Sequence, residues 1–399
     1  MKTLSLAVLG ASLLLGSPAN SQTSVKIGVL TDLSGPYADL SGQGSIIGTQ
    51  LAVEEFKAQH KDISVEVISA DHQNKPDIGG AIARKWFDQE GVDAIIDVAN
   101  SGVALAVSQI AKDKDKVLLG TGPATSDLTG KACSPNTVHW TYDTYALSHG
   151  TGGALVKTGG DSWFFLTADY AFGQALERDT SAVVVAQGGK VAGSVRHPLN
   201  TSDFSSFLLQ AQAAKTKVIG LANAGADTIN AIKQASEFGI TENTKLAALL
   251  FFITDVHSLG LKASHGLVLT EAYYWDLNDG TRAFAKKFAE KAPGRVPSQI
   301  HAGAYSATLH YLKAIAAVSG NKSGATVVSE MKKLSTSDAA FGEGSVREDG
   351  RQLHDMYLFE VKKPAESKGA WDYYKLLAKI PANDAFRPLS ESTCPFVKK

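Results

Sequence analysis

From residue 25 onward, short runs of aliphatic and β-branched residues alternate with longer stretches whose apolar positions recur every three or four residues. Val25, Ile27, Val29 and Leu30 make the first run, with Gly28 inside it, the pattern of a strand buried on both faces. Residues 31–44 then break regular structure through Ser34, Gly35, Pro36, Gly42 and Gly44, and Gly48, Leu51, Ala52 and Phe56 return at helical spacing. A helix entered just after the carboxyl end of a strand turns free N–H groups and the positive end of its dipole toward the loop, which suits a ligand. The same unit is equally an ordinary element of any α/β chain. The glycines at 42, 44 and 48 miss the dinucleotide spacing by one residue, and no Lys-Ser or Lys-Thr follows to make a phosphate loop.

The alternation continues with strands expected over residues 64–70, 94–98 and 117–121 and helices over 77–89 and 103–113, the first capped by Asp77. Residues 139–145 (HWTYDTY) turn aromatic and polar, and the pattern begins again. Strands are expected over 163–167, 191–195, 218–222 and 246–252, with helices over 172–187, 204–213 and 225–238. Repeated strand–helix alternation means a parallel sheet covered on both sides, and two series mean two lobes of doubly wound α/β type. Residues 267–275 read as a strand leaving the second lobe. The helices expected over 281–291, 301–319 and 325–334 have too few strands to form a domain and are assigned back to the first lobe. Residues 354–361 read as the last strand, in the second lobe.

The first residues stand apart from this pattern. Lys2, an apolar stretch over 4–15 and the small residues at 17–21 spell a secretory signal peptide, with cleavage expected after Ser21. Removing those 21 residues from 399 leaves 378, more than one hydrophobic core usually serves. Apolar residues at 44% and charged residues at 20% describe a globular chain. A net charge of -1 and a pI near 6.8 leave no electrostatic footprint for nucleic acid or an anionic membrane. In an exported chain the two cysteines, Cys133 and Cys394, invite a disulfide between the C-terminus and a loop after the fourth strand; the alternative is two unpaired thiols.

The strand, the loop TDLSGPYADLSGQG and the helix after it resemble the opening of the type I periplasmic binding proteins, the leucine/isoleucine/valine-binding family that delivers solutes to ABC importers. Later segments match in order over nearly the whole mature chain, and the motifs specify the family better than the ligand. The resemblance implies two α/β lobes joined by a three-strand hinge, with crossings near Tyr142, Tyr274 and Gly350. Lobe 1 is then residues 22–142 with 275–350, lobe 2 is 143–274 with 351–381, and 382–399 is a tail returning to lobe 1. It also implies a periplasmic monomer that binds a small molecule in the interlobe cleft, uses no cofactor, metal or nucleic acid, and works with ABC permease subunits.

Ligands of open parallel sheets gather beyond the carboxyl ends of the strands. On the first lobe those positions include Leu40, Asn100, Ser101, Gly122, Ala124 and Thr125, and on the second Tyr170, Phe172, Asn223, Asp227 and Phe252, with Tyr274 at a crossing. The resemblance places Ser101 and Thr125 where the family uses a serine and a threonine to hold the ligand carboxylate; the alternative is that both only cap helices. Hydroxyls and helix-start amides can neutralise an anion without a buried cation. Phe172 falls at a family tyrosine with Tyr170 two residues earlier, so either ring can stack on a ligand or pack on the hinge side.

Amino-acid-binding members place an acid for the ligand ammonium where Phe252 stands here, although Asp255 and Asp227 remain candidates for that role. Phe251, Tyr273 and Trp275 add rings nearby, so the expected ligand is an aromatic or apolar carboxylate, with a branched-chain amino acid, or a sensor domain on the same fold, as alternatives. No Gly-x-Ser-x-Gly elbow or His-Glu-x-x-His appears, and the ten histidines lack metal-ligand spacing, so no enzyme is expected. His139, His257 and His301 read as structural, and Glu54 and Glu55 as a solvated pair.

Overall fold

The computed structural model describes residues 23–398, so the expected signal peptide lies outside it. Nine residues of β1 (Thr23–Thr31), apolar on both faces, sit inside a five-stranded parallel sheet with β2 (Ile63–Asp71), β3 (Ala94–Asp97), β4 (Val117–Gly120) and β5 (Thr137–His139), in the order β2-β1-β3-β4-β5. Separate cores cover its two faces. One gathers Val25, Ile27, Phe56, Tyr305 and Ile315; the other gathers Leu30, Trp86, Val103 and Leu118.

The first core depends on the helix Gln299–Ala317 returning from far along the chain to cross the helix Gly42–Gln59. Gly48 permits that crossing, since a Cβ there would stand 2.3 Å from the His301 carbonyl oxygen. The helices Asp279–Lys291 and Gly324–Lys333 pack on the same side, as their lack of partner strands requires.

The second parallel sheet contains β6 (Ser162–Ala168), β7 (Lys190–His197), β8 (Val218–Ala222) and β9 (Lys245–Ala248), in the order β7-β6-β8-β9. Both sheets therefore carry a topological switch point, between β1 and β3 in one and between β6 and β8 in the other. Their carboxyl edges face each other.

Several boundaries differ from the sequence pattern. Asp77 lies in the first turn of the helix Pro76–Asp88 and does not cap it; Lys75 holds the N-cap position without a side-chain bond. The strand expected to run to Phe252 stops at Ala248, because Phe252 opens the helix Ile253–Leu259, and the strand expected over 267–275 is only β10 (Val268–Glu271). Two antiparallel sheets were not legible. The polar strands β11 (Ser335–Asp338), β12 (Gly342–Val346) and β13 (Gln352–Leu353) pair with one another, and β14 (Met356–Val361) lies between β10 and β15 (Tyr374–Ile380). The strand at 354–361 is thus not the last. Gln352 and Leu353 pair with β12, just ahead of β14.

The segments around Tyr142 and Gly350 are fastened together by Arg351, which is fully buried. Its guanidinium donates to the carbonyls of Trp140 and Tyr142, and it stands 3.5 Å from the Asp143 carboxylate. Cys133 and Cys394 form the disulfide, with Cα atoms 5.6 Å apart and 261 residues between them in sequence. In the chain-entropy account closing a loop of that length stabilises by about 5.6 kcal/mol.

Candidate functional site

A narrow cavity of about 10 Å³ lies where the two switch points meet. Tyr37 and Leu40 after β1, Ala99 after β3, and Gly122 and Ala124 after β4 form one wall. Tyr170 and Phe172 after β6, Ala224 after β8 and Leu250 after β9 form the other, with Tyr142 and Ile300 closing the ends. No charged side chain lines it. The lobes touch across it: the hydroxyls of Tyr37 and Tyr170 are 2.6 Å apart, and the Ala226 N–H donates to the Pro36 carbonyl at 3.3 Å. Gly225 makes the second contact possible, because its φ is +57° and a Cβ would collide with that same carbonyl at 2.2 Å.

The first-lobe wall is built from satisfied backbone. The buried Asp32 carboxylate accepts from the N–H groups of Ser34, Gly35 and Tyr37 and from the Asn74 amide, which holds the loop carrying Tyr37 and Leu40. Asn100 caps the helix Ser101–Asp113, its Oδ1 accepting from Gly102 and Val103. Ser101 Oγ accepts from the N–H groups of Ala124 and Thr125 at 3.3 and 3.2 Å. A hydroxyl has one donor and two acceptor sites, so the Ser101 proton remains to be given away. Thr125 Oγ1 accepts from Asp127 and caps the 3-10 turn Ser126–Thr129. Behind this wall Asp97 is fully buried, and a Cβ on Gly122 would stand 2.4 Å from its Oδ1. Burial pushes the Asp97 carboxyl up to about 7.

On the second lobe, rings face the cavity and acids face away. Phe172 sits in the first turn of the helix Ala171–Ala186, its ring 5.9 Å from that of Tyr170. The Asp227 carboxylate is taken by the N–H groups of Asn200 and Thr201, and the Asp255 carboxylate turns back to the Phe252 N–H at 2.8 Å. Burial pushes both carboxyls up to about 7. Glu271, also buried, accepts from the Tyr374 hydroxyl, and burial holds its carboxyl well above the usual range. Asp227 and Asp255 are thus engaged inside the lobe, whereas Glu271 Oε2 is buried without a hydrogen-bond partner among the described residues.

A sequence profile described as periplasmic binding protein matches residues 24–370. The chain belongs to the periplasmic binding protein family. A crystal structure of a periplasmic binding protein from Burkholderia mallei is 51% identical, covers 94% of this chain and all of its own, and superposes with a TM-score of 0.92. A branched chain amino acid ABC transporter periplasmic ligand-binding protein from Burkholderia xenovorans is 41% identical over the same shares, with a TM-score of 0.82. Leu/Ile/Val-binding protein homolog 6 from Brucella melitensis is 27% identical over 378 residues, 91% of this chain and 94% of its own. This is a substrate-binding protein of the branched-chain amino acid group of ABC transporters, and its family places it in the periplasm.

Within this binding protein, five of the residues picked out from the sequence line the cavity: Leu40, Gly122, Ala124, Tyr170 and Phe172. Ser101 and Thr125 stand one bond behind it through the Ala124–Thr125 backbone, and Asn100 is occupied as a cap. Phe252 packs edge-on against Tyr142 at 5.2 Å, so it backs a wall residue without being one. Three expected contacts are turned elsewhere. Asn223 bonds His197 and Thr228, Asp227 holds the 200–201 turn, and Tyr274 donates to the Trp371 carbonyl inside the small antiparallel sheet's packing.

Tyr37, Tyr142 and Ile300 were missed as wall residues. Tyr37 carried a signal, lying in the very loop that marks the family, whereas Ile300 arrives from a helix distant in sequence. His139 bonds the Pro123 carbonyl and His301 accepts from the Ser298 N–H, each buried. Among the described residues no group of three or more His, Cys, Asp or Glu could hold a metal ion.

Proposed function

We propose that this protein captures a small aromatic or apolar carboxylate without an ammonium group, closing its lobes over the ligand and presenting the closed form to ABC permease subunits. One observation carries the reading: the cavity wall has no charged side chain, and the second-lobe acids Asp227 and Asp255 are already engaged with backbone N–H groups. A buried ammonium left without a partner costs several kcal/mol, while a carboxylate can be met by hydroxyls and amides. With the lobes in contact the cavity holds only about 10 Å³, so a ring enters it when the two walls part. A fold-mate from Rhodopseudomonas palustris, 21% identical, is described in complex with 4-hydroxybenzoate and supplies a probe.

Closure follows from bridging. A ligand that touches both walls stabilises only the state in which both walls are near. The test is calorimetric titration with benzoate, 4-hydroxybenzoate, leucine, isoleucine and valine. An aromatic acid is expected to bind at least about a hundredfold more tightly than any of the amino acids, a gap of roughly 2.7 kcal/mol. Leucine winning would overturn the reading in favour of a branched-chain amino-acid binder, the alternative favoured by the Burkholderia xenovorans relative's description.

A further inference from the structure

Beyond β15 the chain does not simply end on the lobe it has left. Ala382 donates to Asp355 just ahead of β14, and the Phe386 ring lies 5.4 Å from His354 and 4.6 Å beneath the Arg351 guanidinium. The next residue reaches three ways. Its carbonyl accepts from Arg347 at 2.8 Å, its guanidinium covers the Tyr145 ring at 4.6 Å, and it stands 3.8 Å from the Asp179 carboxylate on the second lobe. Asp179 in turn accepts from Ser126 on the first lobe and from Thr144. A few residues later Cys394 is bonded to Cys133 on the first lobe, Thr393 lies against Gly130, and Phe396 lies under Lys112.

We propose that this C-terminal segment is a fourth interlobe connection, a clamp on the hinge that limits how far the ligand-free lobes open; the proposal rests on the closure reading above. Length alone cannot provide the limit. From Ile380 to Cys394 a fully extended chain could span about 48 Å, which is slack. Anchoring at Phe386 and Arg387 leaves only seven steps to the disulfide, about 24 Å at full stretch, and ties that short piece to the first lobe through Cys133 and Arg347 and to the second through Asp179. Opening must then break the Arg387 contacts or strain the segment. By disfavouring the open state, the clamp raises ligand affinity without touching the ligand.

The test compares ligand-free wild type with C133S/C394S, R387A and the triple variant by small-angle scattering, with circular dichroism as the control for folding. The triple variant is expected to raise the radius of gyration by about 1 Å over the roughly 21 Å of a compact chain this long, each partial variant less. The 4-hydroxybenzoate affinity of the triple variant should fall about threefold to tenfold while the bound form scatters as wild type does. If the cysteine variants do not fold, R387A alone must show the wider ligand-free form. Superimposable ligand-free curves for folded variants, with only a lowered Tm, would make the segment a stabilising staple and overturn the clamp. Wild type that fails to compact with any probe would count against the closure reading instead, and the ligand-free curves still judge the clamp.

Discussion

The two walls of the cavity solve different problems. On the first lobe, the chain is immobilised by its own hydrogen bonds: Asp32 gathers three loop amides, and Ser101 gathers two more. What this wall presents is backbone held in place by buried side chains, with the Tyr37 hydroxyl as its polar side-chain group. On the second lobe, the polar groups are spent on internal turns, and what remains is the surface of rings and short aliphatic side chains. Under the proposed function the first wall meets the ligand's charge and the second its shape. The contrast teaches that an acid near a cleft in sequence says little until its hydrogen-bond partners are known.

Four measurements bear on that contrast, in order of expected effect. Ser101→Ala removes the shared acceptor of two buried amides that hold the first wall, and is expected to weaken 4-hydroxybenzoate binding by about a hundredfold in calorimetry. An unchanged affinity would mean that the first wall does not carry the polar recognition. Phe172→Ala should weaken the same ligand by roughly tenfold to thirtyfold, the value of burying one ring, and should lower affinity for benzoate equally.

Tyr170→Phe deletes only the hydroxyl pair that joins the lobes, so a loss of about fivefold is expected with Tm unchanged. If Tm fell and affinity held, the pair would be a structural bond and not part of closure.

The smallest effect concerns the acids turned away from the ligand. Burial raises the Asp255 carboxyl to about 7, above the usual value near 3.9 of an unfolded chain. Between those values the folded state binds more protons than the unfolded one, so this residue's stability contribution is present below about pH 4 and is lost as pH rises through about 7. In Asp255→Asn, whose amide oxygen can still accept from Phe252, the fall in Tm between pH 5 and pH 8 should be shallower than in wild type by a few degrees. Identical slopes would show that the carboxyl is not held protonated.

The alternation of short apolar runs with helical repeats, read along the chain, was enough for two parallel-sheet lobes, because burial on both faces of a strand leaves a compositional mark that needs no partner. It was also enough to place Leu40, Gly122, Ala124, Tyr170 and Phe172 at strand ends, where the topology of such sheets puts a ligand. The polar strands β11 to β13 left no such mark, since their stability comes from pairing with each other. Only the tertiary structure decided that Asp227 and Asp255 face inward to backbone amides, that Tyr274 belongs to another core, and that Tyr37 meets Tyr170. The physical reason is that strand and helix periods are local, whereas the direction of a loop side chain is settled by whichever hydrogen-bond donor or ring arrives from a distant part of the chain.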